Sequence, residues 1–238
     1  MRIIPVIDLL GGIVVRGIGG MRDKYRPITS SLVDSTAPLE VARALTAFTG
    51  SNYIYVADLD AIRTGMLSRD VLAELVEDGF QLLLDAGAFE FRQVQLLMDL
   101  GVQEVVVGLE TLTDPEVLNQ ATNAFGNRIV FSLDLKASWP ITNERCPWNG
   151  QSPQQIAKAA SDLGVERMIV LDLHRVGRSS GVGTMDLCRE LLSNHPGLNI
   201  ISGGGVRNQD DMDKLNDVGL EGVLVASALH EGNLKSPS

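Results

Sequence analysis

The sequence is short of cysteine, of positive charge and of long hydrophobic runs. Two cysteines, Cys146 and Cys188, stand far apart with no metal-ligand spacing. That excludes a disulfide framework and fits a reduced, cytoplasmic setting. Lys and Arg number 20 against 30 Asp and Glu, a net charge of −10. A diffuse acidic surface argues against nucleic acid or anionic membrane as a partner, while leaving room for a local phosphate pocket. No apolar run approaches a membrane span. The opening "MRIIPVIDLL" is too short for a signal peptide, and Asp8 interrupts it. There is no linker, no low-complexity segment, no metal-ligand cluster and no nucleophile elbow. The "GIGG" of residues 17–20 lacks the strand–helix setting of a dinucleotide loop. No cofactor is expected.

What is present is alternation. Short, mostly β-branched runs recur at Ile3–Leu9, Tyr53–Leu59, Gln81–Leu84, Glu104–Leu109, Ile129–Leu135, Arg167–Leu173, Asn199–Ser202 and Gly222–Ala226. Such unalternated runs suit strands buried on both faces. Between them, three- and four-residue apolar spacing predicts helices over Pro38–Thr49, Ser68–Gly79, Phe89–Leu100, Asp114–Phe125, Ser152–Leu163, Thr184–Asn194 and Asn208–Val218. Ser152–Pro153 and Asp114–Pro115 read as helix starts, and Gly79, Gly101, Gly164 and Gly219 as helix ends. Eight βα repeats predict an α/β fold, a closed (βα)8 TIM barrel in one domain. Only "LHEGNLKSPS" follows the last strand, so the final helix is curtailed and a second copy of the chain could cover its place.

The repeat has a deeper level. Residues 85–112, "DAGAFEFRQVQLLMDLGVQEVVVGLETL", lie over residues 203–230, "GGGVRNQDDMDKLNDVGLEGVLVASALH", without a gap. Asp8 in "PVIDLL" pairs with Asp134 in "FSLDLK", and Asp58 in "YVADLDA" with Asp172 in "IVLDLHR". The chain therefore reads as two half-barrels, about residues 1–126 and 127–238.

In such barrels the active site lies at the C-terminal ends of the strands. Asp8 and Asp134 end opposed strands, the geometry an acid–base pair needs. Crowding of carboxylates can raise one pKa into the useful range. Asp58 and Asp172 end the second and sixth strands, where either substrate contact or capping would serve. His174 offers a second acid–base group or a surface residue. Lys136 shares parity with Asp134, with ion pairing its expected role. Trp139 and Trp148 lie in the Pro-, Asn- and Gly-rich segment 136–151, a candidate covering loop, in which Trp148 is a candidate substrate contact.

Gly203, Gly204 and Gly205 end the seventh strand, and Ala226 and Ser227 end the eighth. Backbone N–H groups there can cradle a phosphate, because no Cβ blocks its approach. The first-half counterpart reads "DAGAF". Asp85 puts a carboxylate where a phosphate dianion would sit, and Phe89 stands opposite Arg207. Like charges about 4 Å apart repel by about 1 kcal/mol in water and several at lower effective dielectric. This half suits an amine, a hydroxyl or an aromatic ring better than a phosphate.

"IIPVIDLLGGIVVRGIGG", "YVADLDA", "VVVG", "FSLDLK", "ISGGGVRNQDDM" and "GVLVASALHEG" together resemble the HisA/HisF-type histidine-biosynthesis barrels, especially the HisA-like isomerases, up to about residue 232. The resemblance implies an Amadori rearrangement of an aminoaldose phosphate to an aminoketose phosphate without a cofactor. It implies Asp8 as general base, Asp134 as general acid, Arg16 as a substrate-side residue, and a phosphate on Gly203–Gly205 with Ala226–Ser227. The family's second phosphate loop reads "DAGAF" here, its strand-6 loop reads "HRVGRSSG", and its Gly-Arg after strand 8 reads Ala226–Ser227. These departures resemble relatives from methanogens and methylotrophs, which implies a place in one-carbon or pterin-type cofactor metabolism. The expectation is an isomerase acting on a singly phosphorylated substrate. The histidine-pathway isomerase itself and a non-catalytic ligand-binding barrel are the alternatives.

Overall fold

In the computed structural model, described at every residue except 20, 22, 23, 178–180, 237 and 238, the chain closes into an eight-stranded parallel barrel. The first half runs β1 (Arg2–Leu10), β2 (Ile13–Arg16), β3 (Arg26–Pro27), α1 (Pro38–Thr49), β4 (Tyr53–Asp58), α2 (Leu59–Thr64), α3 (Arg69–Glu77), β5 (Gln81–Asp85), α4 (Phe91–Asp99), β6 (Glu104–Gly108) and α5 (Glu116–Phe125). The second runs β7 (Ile129–Lys136), β8 (Trp139–Pro140), α6 (Pro153–Asp162), β9 (Arg167–Asp172), α7 (Met185–Asn194), β10 (Asn199–Gly203), α8 (Gln209–Asn216), β11 (Gly222–Val225) and α9 (Ser227–His230). The barrel order is β1, β4, β5, β6, β7, β9, β10, β11, and β11 returns to β1 with Ile3 beside Val223.

Further likenesses that sequence patterning did not show accompany the internal similarity. Each half adds an antiparallel ribbon after its first strand. β2 pairs back on β1 with Asp8 beside Val15, and β8 pairs back on β7 with Leu135 beside Pro140. The matched helix ends Gly101 and Gly219 both turn left-handed, at φ 84° and 87°. The Ser152–Pro153 signal acts as read, whereas at Asp114–Pro115 the proline itself is the N-cap, with no side-chain cap hydrogen bond. Ser152 Oγ accepts the Gln155 N–H, while Gln155 Oε1 accepts the Ser152 N–H. The short α2 is an addition, since residues 59–64 carry too few apolar positions to be read as a helix.

Two cores follow from strand parity. Alternate residues pointing outward pack under the helices, among them Ile7, Ile54, Val56, Leu84, Val107 and Phe131. Those pointing inward fill the barrel, among them Ile4, Tyr55, Leu83, Val106, Val130 and Ile169. The inner floor is polar. The Arg167 guanidinium meets Glu104 and Glu221, and the Tyr53 hydroxyl donates to Glu104 Oε2 at 2.5 Å. The curtailed eighth helix is replaced by an extended tail, in which Leu234 is buried and Ser236 Oγ donates to the Phe48 carbonyl.

Candidate active site

At the C-terminal end of the barrel a cavity of about 190 Å³ opens between the strand ends. Parity decides what faces it. Asp8 and Asp134 point inward from β1 and β7 and line opposite sides of this one cavity. Asp134 is buried and accepts the Ser132 Oγ–H at 2.7 Å. Asp8 lies so close to the loop after β2 that a Cβ on Gly17 would stand 2.6 Å from its Oδ2. A side chain at Gly17 would push this carboxylate aside, a packing reason for glycine at this position in place of a nucleotide one. Gly20 and residues 178–180 of "HRVGRSSG" lie outside the described residues. The two loops meet over the cavity, where the Gly19 N–H donates to the Val176 carbonyl at 2.7 Å.

Gly204, Gly205, Ala226 and Ser227 form another wall of the same cavity. Gly203 is buried beneath them, where a Cβ would stand 2.7 Å from the Leu224 carbonyl oxygen. Gly205 holds φ 92°, and a Cβ there would stand 2.7 Å from the Gly181 carbonyl. Close packing and backbone conformation thus require glycine before any ligand is considered. Arg207 does not line this wall. Its Nε and Nη2 grip Asp211 at 2.8 and 2.7 Å, and that hydrogen-bonded pairing lowers the Asp211 pKa. Among the described residues, the wall therefore offers backbone dipoles rather than a cation.

Across the cavity lies the altered twin. Gly87, the counterpart of Gly205, donates its N–H to Asp85 Oδ1 at 3.0 Å. The chain's own carboxylate already takes up an amide of the first-half loop. The buried Tyr55 hydroxyl donates to Asp85 Oδ2 at 3.1 Å. Burial, then Asp85, Asp134 and Asp8, push the Tyr55 phenol well above its ordinary pKa, so it remains a donor at neutral pH. Tyr25, Tyr55, Asp85 and Glu110 line the cavity, and Tyr25 and Glu110 were not singled out from the sequence. The inward parity of Tyr55 on β4 was the available signal. The cavity's described lining holds four carboxylates and no Lys, Arg or His.

Several sequence candidates lie elsewhere. Asp58 and Asp172 have the outward parity, so neither lines the cavity. Asp58 is fully buried and accepts from Ala61 N, Ser68 N and Ser68 Oγ at 3.1, 2.7 and 3.2 Å. Asp172 accepts from Ala137 N, Ser138 N and His174 N at 3.2, 3.1 and 3.0 Å. Both are loop-tying caps, a correction to their reading as substrate contacts. Trp148 is also corrected, because its ring is buried edge-on against Phe131, 5.8 Å between centroids. His174 and Lys136 are exposed and outside the cavity. Arg16 lines a small cleft of about 20 Å³ beside Asp8 and Ser227, and its Nη2 contacts Glu231 Oε1 at 2.5 Å. Both cysteines are buried free thiols. Among the described residues no group of His, Cys, Asp or Glu could hold a metal ion. None of the described helices is long and apolar enough to cross a membrane.

Fold and site together define a (βα)8 barrel with opposed aspartates and a glycine-rich wall in one cavity. Residues 2–235 match the family described as "Histidine biosynthesis protein", and the chain belongs to that family. It is 28% identical to the 1-(5-phosphoribosyl)-5-((5-phosphoribosylamino)methylideneamino) imidazole-4-carboxamide isomerase of Alkaliphilus metalliredigens, over 99% of this chain and 96% of the relative. It is 31% identical to the isomerase of the same name from Desulforamulus reducens, over 100% and 95%. It is also 31% identical to an uncharacterized protein of Methanocaldococcus jannaschii, over 98% and 95%. The relatives named as enzymes are isomerases, so the chain is HisA-like and an isomerase of this family.

Proposed function

We propose that the chain is a cofactor-independent aldose–ketose isomerase acting on a sugar-like substrate with a single phosphate. One observation carries this reading. Asp8, Asp134 and the Gly204–Gly205 wall share a cavity, whereas the Gly87 amide opposite is already bonded to Asp85.

The proposed chemistry is an Amadori rearrangement. The phosphate rests on N–H groups of the Gly203–Gly205 and Ala226–Ser227 segments. Asp134 gives its proton to the ring oxygen, the C1–O bond breaks, and the aminoaldose opens to an iminium. Asp8 takes the proton from C2, and the electron pair moves through an enamine. Tautomerisation then leaves a ketone at C2 and an amine at C1, with no change in atoms or electrons. A pair of this kind contributes about 10²- to 10⁴-fold per proton transfer. Asp8→Asn and Asp134→Asn should each lose turnover by that factor and keep phosphate affinity.

A second reading is the histidine-pathway isomerase itself. The relatives' name, with its two phosphoribosyl groups, favours it over a pterin-type substrate. The Asp85 carboxylate in the first-half loop weighs against it. Complementation of a histidine auxotroph lacking this isomerase separates the two. Soluble expression without growth is expected, and growth at the rate of the authentic enzyme would overturn the single-phosphate reading.

A further inference from the structure

Beyond Asp85 the barrel mouth does not end. A groove of about 830 Å³ runs outward between the loops after β4, β5 and β6, and it shares Ile62 and Glu110 with the catalytic cavity. Arg63, Arg69 and Glu110 lie in its wall, but at the position where the second half carries a cation the side chain is apolar. Phe89, at the position matching Arg207, is 41% exposed, and Leu96 beside it in the groove is 43% exposed. Met66, 70% exposed, lies between the groove residues Gly65 and Leu67. Three of the five large exposed apolar side chains among the described residues thus gather at this one groove. Such clustering on a surface that otherwise hides its apolar groups marks a binding site.

The geometry points to this groove as the subsite for a planar aromatic arm of the substrate, stacked on Phe89. The inference rests on the single-phosphate reading and names what the other end of that molecule carries. Three features choose this occupant. The groove adjoins the cavity that holds Asp8 and Asp134, with Ile62 and Glu110 in the lining of both, so one extended molecule can reach from one to the other. Glu110 lines both, and Asp85 lines the cavity side, which disfavours an anionic group passing between the two. Phe89 presents an exposed ring, which rewards a flat apolar partner, and the exposed Arg69 on the groove wall can stack on the same ring system.

Flavin mononucleotide is a suitable probe, since it joins one phosphate through a flexible chain to a planar ring whose fluorescence falls on stacking. Its affinity for the full-length chain is compared with that of ribose 5-phosphate, which reaches only the phosphate cradle. The expected result is binding about tenfold tighter than ribose 5-phosphate, with quenched flavin fluorescence. Phe89→Glu and Leu96→Glu, both at exposed positions, should each remove that gain and leave ribose 5-phosphate binding as it was. Flavin binding no tighter than ribose 5-phosphate, or indifferent to both substitutions, overturns the inference. So does a dimer in sedimentation velocity that Phe89→Glu dissociates, which would make the groove a contact between copies. Failure of ribose 5-phosphate itself to bind overturns the single-phosphate reading, and the inference falls with it.

Discussion

Asp58 and Asp172 look alike in sequence to Asp8 and Asp134, and one step of strand parity gives them a different task. Asp58 satisfies two backbone N–H groups and a hydroxyl in a fully buried place. Asp58→Ala should therefore cost about 3 kcal/mol in denaturant unfolding, since buried donors are left unpaired. His230 provides a pH-dependent term. It is buried, its Nδ1 meets Ser30 Oγ at 3.0 Å, and its Nε2 is buried without a partner. Burial and then the Arg16 charge lower its pKa from 6.5 to about 4. The folded protein thus binds this proton more weakly than the unfolded chain does. The stability His230 contributes is complete above about pH 6.5 and is lost as pH falls toward 4. The loss is on the order of 3 kcal/mol. The melting temperature should drop across that window, and His230→Asn should flatten the drop. Burial also pushes the Cys188 thiol up to about 11. A thiol reagent at neutral pH should leave it unmodified until the protein unfolds.

At the scale of elements, the ribbon after β7 is under strain. Ala137 and Ser138 hold φ 52° and 70°, a left-handed pair without glycine, with both amides gripped by Asp172. Ser138→Gly should stabilise by about 1 kcal/mol, read as a rise of about 2–4 °C in melting temperature. The first-half loop offers the converse test. Asp85→Gly frees the Gly87 amide and restores the glycine of its twin. A second phosphate should then bind, with calorimetric stoichiometry rising from one to two per chain.

These elements also show how far the sequence could be read. Strand and helix order was legible because apolar runs and helix-end glycines repeat. The correspondence of the two strand-end loops was legible because residues 85–112 and 203–230 align without a gap. The facing of Asp58 and Asp172 was not, because a one-residue change of parity turns a side chain from the cavity to the helix layer. The burial of Trp148 was not either, since its contact with Phe131 comes from tertiary packing of a long loop. The role of Gly17 depends on where the Asp8 carboxylate comes to rest, which only the closed barrel determines.

The whole molecule is a closed eight-stranded barrel in which internally similar segments carry different residues at both ends, Asp85 against Gly203 at the mouth and Glu104 against Gly222 at the floor. The floor holds an ion cluster spanning both halves, where Arg167 from the second meets Glu104 and Tyr53 from the first. Burial opposes the Arg167 charge, yet hydrogen bonds to Glu221, Tyr53 and Glu104 raise its pKa on balance. Arg167→Ala strands Glu104 in the interior and should cost about 3–5 kcal/mol in unfolding free energy. At the mouth, Gly204 and Gly205 form one wall, while Asp85 opposite accepts the Gly87 N–H. Crystals of the unmodified protein soaked in phosphate test that asymmetry most directly. The predicted result is one anion per chain, on the Gly204–Gly205 and Ala226–Ser227 amides. A second anion on the Gly87 amide, with Asp85 displaced, would contradict it.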